Sequence, residues 1–323
     1  MASKHLKIVA SGTLILLLMV EVLSMRLLSW RSETFQRVSA EYSVALSIRQ
    51  ALTGEPPNVL LVGNSLLLEG LDIHALQDQL AGRVKIAPIF LEATSYYDWL
   101  FGVQRLLRHG SRPDIIIVGL QARAFVESKV REDYSPMMLF DLTDIFSVAR
   151  ELGFSRTETV GLMASHYSVF WDVRSDLRKQ VLREAIPGFE SLLVLAKSRA
   201  SLPCGAYFTE IAAKRLAVLR DLANQYNARL MILVATVQTP EPERELLAAA
   251  KAARVDISIP IGSGTLSRDC FKSDQLHLNA QGAQLFTAAV AKDLSTRFPY
   301  RNLSMTDPRP RRMVNLSAGA GAM

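Results

Sequence analysis

The 323-residue chain has only two cysteines, Cys204 and Cys270. It contains no CxxC pair, no HExxH and no His/Cys cluster, so no metal site is legible and no cofactor is expected. The two cysteines lie far apart in sequence. An exported compartment would permit a disulfide between them, and the spacing alone does not require one. Basic residues outnumber acidic ones by 37 to 31, yet they are scattered, as in RSDLRKQVLRE at 174–184. Without a basic stripe or interleaved aromatics, the charge reads as solvated faces with some attraction to an anionic surface; nucleic acid is not an expected partner. Glycine-rich phosphate cradles are also missing. The G-x-G at Gly262 and Gly264 has no third glycine at 267 and opens no helix, which argues against a nucleotide-binding module. Internal repeats are absent.

One long hydrophobic run is present, at the N-terminus. MASKHLKIVASGTLILLLMVEVLSMRLL places Lys4 and Lys7 before an apolar stretch from Ile8 to Val20. Glu21 interrupts, and apolar residues resume to Leu28. About 20 such residues suffice to cross a bilayer. A single carboxylate near the far end can snorkel or pair with Arg26. VLSMRLLSW offers no A-x-A-like cleavage site, which favours an uncleaved signal anchor at 1–28 over a cleaved leader. Gly12, Thr13 and the terminal position oppose a buried core helix. The cationic end should remain cytoplasmic, placing the main domain in the bacterial periplasm or at the cell surface.

Residues 29–57 are expected to form a stalk helix stopped by Pro56 and Pro57. Strands follow at Val59–Val62, VKIAPIFLEA (84–93), RPDIIIVGL (112–120), ARLMILVAT (228–236) and VDISIPI (255–261). Helical spacing appears in LLLEGLDIHALQDQLAG, YDWLFGVQRLLRHG, AAKRLAVLRDLANQYN, PERELLAAAKAARV and NAQGAQLFTAAVAKDLSTRF. Alternating strands and helices predict an α/β domain over 58–297: a mostly parallel sheet covered on both faces. Residues 127–205 break the rhythm. They are too long for a loop and read as a helical insertion after the third strand, over the sheet's carboxyl edge. The tail 298–323 is expected to be disordered, and its sequons starting at Asn302 and Asn315 read as chance.

NVLLVGNSLLLEG, at 58–70, ends its strand on Asn64 and Ser65. That edge is where open α/β sheets bind ligands. A nucleophilic serine needs a base and a carboxylate to orient it. Of five histidines, His5 lies in the cytoplasmic end and His74 on the helix after Ser65. His109 ends a helix away from the carboxyl edge, and His166 is in the insertion. His277 remains, in KSDQLHLNAQG, with Asp274 three residues before it and Asn279 placed to cap the last helix. A serine at a strand–helix turn is commonly only a cap, and D-x-x-H before a helix is common too. Their joint occurrence, in the order the fold needs, points to a Ser65/His277/Asp274 triad. Tyr96, Tyr97, Trp99 and Trp171 read as core or lid packing.

GNS at 63–65 and DQLHLN at 274–279 resemble the first and last blocks of the SGNH (GDSL-like) hydrolases, over roughly 58–126 and 206–297. The resemblance implies a flavodoxin-like three-layer α/β/α fold and esterase or acyltransferase activity. Ser65 would be the nucleophile, His277 the base and Asp274 its partner. Ser65 N–H and Gln121 would hold the oxyanion, and Asn64 would line the substrate site. Membrane-anchored members with a helical insertion resemble proteins that add or remove O-acetyl groups on envelope polysaccharides. That implies an acylated glycan or small ester as substrate, membrane contact through residues 8–28, and a membrane-embedded acyl-donor partner. Two blocks depart from the pattern. EATSYYDWLFG, after the second strand, has no glycine at the turn, and GLQA at 119–122 puts Gln121 at the family's Asn position. The second reading is therefore a catalytically weak or inactive SGNH-like scaffold in a polysaccharide modification or export complex.

Overall fold

The computed structural model describes residues 2–174, 182, 185–186 and 205–299. Five parallel strands form one sheet: β1 (Asn58–Gly63), β2 (Lys85–Phe90), β3 (Ile115–Leu120), β4 (Arg229–Val234) and β5 (Asp256–Ser258). Their order is β2-β1-β3-β4-β5, the doubly wound order of flavodoxin-like folds. The strands read as near-continuous apolar runs because both faces are covered. Pro88 is tolerated since β2 is an edge strand.

Side-chain alternation divides the core in two. Leu60, Val62, Ile116, Val118, Ile232 and Val234 face one layer of helices. That layer holds α2 (Glu33–Ser47), α5 (Tyr96–Arg108), α9 (Gly205–Gln225) and α10 (Glu243–Ala253). Val59, Leu61, Ile117, Met231 and Leu233 face the other. There lie α3 (Ser65–Gly70), α4 (Ile73–Leu80) and α11 (Ala280–Arg297). The expected single helix after Ser65 is two helices, because the chain leaves α3 after Gly70 and Asp72 caps α4 by accepting from Ala75 N.

The expected stalk is corrected by the structure. α2 lies on the sheet's α5 face, with Val38 and Ala45 fully buried in the core. Tyr42 completes an i, i+4, i+7 stripe that the sheet covers. Arg37 of α2 bonds Glu92 at 2.6 Å and the Phe90 carbonyl at 2.5 Å. Ahead of it, α1 (Ala2–Arg31) stands off the body. Residues 4–19 are exposed, Ser24 and Leu28 are buried against the domain, and the helix is long and apolar enough to cross a membrane.

The insertion contributes α6 (Ser135–Met138), α7 (Leu142–Leu152) and α8 (Arg156–Tyr167). Expected over the carboxyl edge, it begins there, with Arg131 donating to the Glu92 carbonyl at 2.6 Å, while α6–α8 continue along α5. Apolar burial holds it there: Leu139, Phe140, Ile145 and Val148 are fully buried, and the Phe140 ring meets Phe101 of α5 edge-on at 5.9 Å. Polar contacts add to this, since α5 offers Gln104, Arg105 and Arg108. Asp144, 2% exposed, accepts from Gln104 Nε2 at 2.9 Å and Arg108 Nη1 at 2.8 Å, and Arg105 donates to the Met137 carbonyl at 3.0 Å. Cys270 is a buried free thiol; Cys204, most of 175–204 and the tail from 300 lie outside the described residues.

Candidate active site

The site is assembled at the carboxyl edge from three segments. β1 delivers Asn64 and Ser65 into the first turn of α3. This close approach of α3 to the sheet is possible because registered neighbours Gly63 and Gly119 carry no side chain. A Cβ on Gly119 would lie 2.0 Å from Leu67 Cδ1, and one on Gly63 would lie 2.6 Å from the Gly119 carbonyl.

The second segment is the loop before α11. Lys272 N donates to the His277 carbonyl at 2.8 Å and Asn279 N to the Cys270 carbonyl at 2.9 Å, closing residues 271–278 into a tight excursion. Gln275 turns its tip with φ 58°. Asn279 caps α11, as expected, by accepting from Gly282 N at 3.1 Å. Lys272 reaches across to Glu69 of α3 at 2.5 Å, tying the loop to the helix that carries Ser65.

The outcome is a continuous hydrogen-bond chain between residues 212 positions apart. Ser65 Oγ lies 2.8 Å from His277 Nε2, and His277 Nδ1 lies 2.6 Å from Asp274 Oδ2. The other oxygen of Asp274 accepts from Leu276 N at 2.9 Å and His277 N at 3.0 Å. Burial acts to raise the Asp274 pKa, but the hydrogen bonds from the His277 ring and these two amides outweigh it and hold the carboxyl at about 2. An ionised Asp274 fixes the imidazole with its proton on Nδ1, leaving Nε2 as an acceptor for the serine proton.

The third segment is Gln121, after β3. Its Oε1 accepts from Asn64 Nδ2 at 3.0 Å, and its Nε2 makes no hydrogen bond among the described residues. Ser65 N–H likewise has no acceptor there, since Asn64 Oδ1 takes Leu66 N and the Asn64 carbonyl takes Leu67 N and Leu68 N. The expectation that Asn64 lines the substrate site is corrected. Asn64 is 4% exposed and fully spent: Oδ1 on Leu66 N, and Nδ2 on Gln121 and the Thr94 carbonyl at 3.3 Å. It orients Gln121 and joins the turn after β2 to the site.

That turn holds a residue the sequence reading passed over. Ala93 is exposed, with φ 58°, in the left-handed region that favours glycine. A non-glycine residue there costs of order 1–2 kcal/mol, so the turn must be held from outside. It is held. Arg37 pairs with the Glu92 carboxylate at 2.6 Å, and Arg131 donates to the Glu92 carbonyl at 2.6 Å. The missing glycine hid the left-handed position within the turn; the small side chain in EAT was the available signal. Behind the site, Glu241 accepts from Arg123 N at 2.8 Å and pairs with Arg123 Nε at 3.1 Å, bracing the loop after β3. Burial raises Glu241 to about 6 despite these contacts.

His74, His109 and His166 take no part. His109 meets Asp141, and His166 meets the Pro136 carbonyl. Among the described residues there is no cluster able to hold a metal.

No family model and no curated protein matches the chain. Among solved structures, it is similar to a GDSL-like lipase from Bacteroides thetaiotaomicron, at 10% identity and a TM-score of 0.41, over 81% of this chain and 97% of that one. It is also similar to a catalytic mutant of an acetylxylan esterase from Geobacillus stearothermophilus, at 8% identity and a TM-score of 0.39, over 75% and 95%. Both likenesses are distant, and the chemistry is read from the side chains themselves.

Proposed function

We propose that the chain is a membrane-tethered serine esterase or O-acyltransferase of the SGNH type, acting on acyl esters, acetyl in the first instance, of envelope or secreted glycans. The observation that carries this reading is the unbroken Ser65–His277–Asp274 chain beside unpartnered N–H groups.

In the proposed mechanism Ser65 Oγ attacks the ester carbonyl while His277 Nε2 takes its proton. The carbonyl oxygen becomes an oxyanion, met by Ser65 N–H and Gln121 Nε2, with Ala93 N–H as a third donor in the braced turn. Collapse breaks the ester C–O bond. His277 returns the proton to the leaving alkoxide, and an acyl-Ser65 ester remains. His277 then deprotonates water or a sugar hydroxyl, which attacks that ester and frees Ser65. Water makes the protein an esterase; a hydroxyl makes it a transferase. In this reading α1 is an uncleaved anchor, the domain lies outside the cytoplasm, and a membrane-embedded donor could supply the acyl group. α1 joins α2 at Ser32, and α2 begins beside Glu92, so the anchor enters the body at the edge that carries Ser65.

The test is hydrolysis of a chromogenic acetate ester and of an O-acetylated polysaccharide by wild type and Ser65→Ala. Turnover by wild type and its loss in the variant is the expected result. Turnover that survives the substitution removes the serine mechanism. An inert wild type with the same fold favours the scaffold reading.

A further inference from the structure

The insertion presents an aromatic surface that the ester chemistry does not use. Tyr167, Phe170 and Trp171 are 67%, 43% and 40% exposed. They sit where α8 ends and a helical segment at 169–174 begins. The opposite side of that segment is anchored: Val169, Asp172 and Val173 are buried, and Asp172 accepts from Tyr134 N at 2.9 Å. The segment is thus amphipathic, with its aromatic side left outward.

What lies beside it identifies the occupant. The start of the segment is capped by Glu21 of α1. Ser168 Oγ donates to that carboxylate at 2.8 Å, and Val169 N and Phe170 N donate to it as well. Glu21 is the charge that interrupts the apolar run. Its neighbours Val22 and Leu23 remain exposed. A span of about 20 residues starting after Lys7 ends near Leu27. At 1.5 Å per residue, Glu21 then lies about 9 Å inside the far boundary. Amphipathic helices seat about 5–10 Å into that zone. The segment bonded to Glu21 is therefore held at the depth where aromatic side chains gather at lipid interfaces. Two arginines accompany the exposed tryptophans, and Arg174 also donates to the Trp171 carbonyl. The Arg174 guanidinium lies 4.1 Å from the Trp171 ring, and that of Arg31 lies 4.9 Å from the ring of exposed Trp30. Exposed cations paired with tryptophan in this way suit an anionic headgroup region. The bond to Glu21 also lowers the cost of a carboxylate in the span, since three donors meet it within the protein.

We infer that the 167–174 segment is a second membrane contact, seated in the headgroup region of an anionic bilayer beside α1. It rests on the reading of α1 as a membrane span. A single helix leaves the body free to rotate about it. A second contact fixes that rotation and keeps the edge bearing Ser65 beside the point where α1 leaves the lipid.

The test uses the full chain in phosphatidylethanolamine–phosphatidylglycerol vesicles, with and without bromine on the upper acyl chains. The chain has three tryptophans. Trp99 is fully buried, so Trp30→Phe leaves Trp171 as the one lipid-accessible reporter. Brominated vesicles should quench the emission of W30F, and that quenching should vanish in W30F/W171F. Plain vesicles should shift W30F emission to the blue of that seen after Phe170→Ser. A chain that floats with the vesicles while W30F emission is unquenched overturns the second contact alone and leaves the surface to a protein partner. A chain that fails to float overturns the anchor and this contact together. Neither result touches the ester chemistry.

Discussion

Gly119→Ala should damage both stability and turnover, through one contact. The added Cβ would stand 2.0 Å from Leu67 Cδ1 and 3.1 Å from Leu67 Cγ. Carbon atoms rest at about 3.5–4.0 Å, so Leu67 must retreat by about 1.5 Å. Leu67 is completely buried and sits two residues after Ser65 in the same short helix, so the displacement passes to α3. Overpacking of this kind costs about 1–3 kcal/mol. A nucleophile misplaced by about 1 Å can lose on the order of 10²-fold in rate. Leu67→Ala alone leaves a void and should cost about 2–5 kcal/mol. In the double variant the methyl at 119 occupies part of that void, so the pair should cost less than the sum by about 1 kcal/mol or more. Urea unfolding of the four proteins gives the cycle, provided their m-values agree. Ester turnover of G119A gives the second readout. Strict additivity together with an unchanged kcat/KM in G119A would refute the view that this glycine pair seats α3 and positions Ser65.

Three further predictions concern the site and its support. Asp274→Asn keeps an acceptor for the two backbone amides but loses the charge that holds His277. kcat/KM should fall by about 10³–10⁴ with little change in the urea midpoint, and a fall in both by unfolding would show up in the midpoint. Gln121→Leu removes one proposed oxyanion donor, so kcat for a chromogenic ester should drop by about 10²–10³ with KM nearly unchanged; an effect on KM alone would assign Gln121 to ground-state binding. Glu241 is raised from its ordinary 4.5 to about 6, so the folded state holds a proton that the unfolded chain has released. Stability should therefore rise as pH falls from 7 toward 5, by about 1 kcal/mol from this group, toward a limit of about 2 kcal/mol below its ordinary value of 4.5. Glu241→Gln should flatten that slope in denaturation curves taken across the range, and an unaltered slope would mean the group is not the source.

Much of the site was legible in the sequence because its chemistry is local. GNS ends an apolar run, and D-x-x-H precedes a helix whose cap, Asn279, is itself readable. One loop thus delivers imidazole and carboxylate together, and the order of elements brings that loop to the same edge as Ser65. What was not legible depends on distant partners. α2 carries its Val38, Tyr42 and Ala45 stripe openly, but only the sheet beneath it distinguishes a core helix from a stalk. The insertion has polar and apolar faces suited to many positions; only in the fold do Leu139 and Phe140 meet α5, with Asp141 and Asp144 pairing Arg105 and Arg108 beside them. Ala93 adopts a conformation that its residue type disfavours, because Arg37 and Arg131 hold the turn from two other elements. Asn64 looked like a ligand contact since it neighbours Ser65, yet its amide is consumed by Gln121 and Thr94.

The most direct measurement is covalent labelling by a fluorophosphonate, followed by intact mass and peptide mapping. One phosphonyl group per chain should appear, on the peptide that contains Ser65. It should be absent in Ser65→Ala and form far more slowly in His277→Gln. A label on any other serine, or undiminished labelling after either substitution, would contradict the assignment of Ser65 as a nucleophile activated by His277.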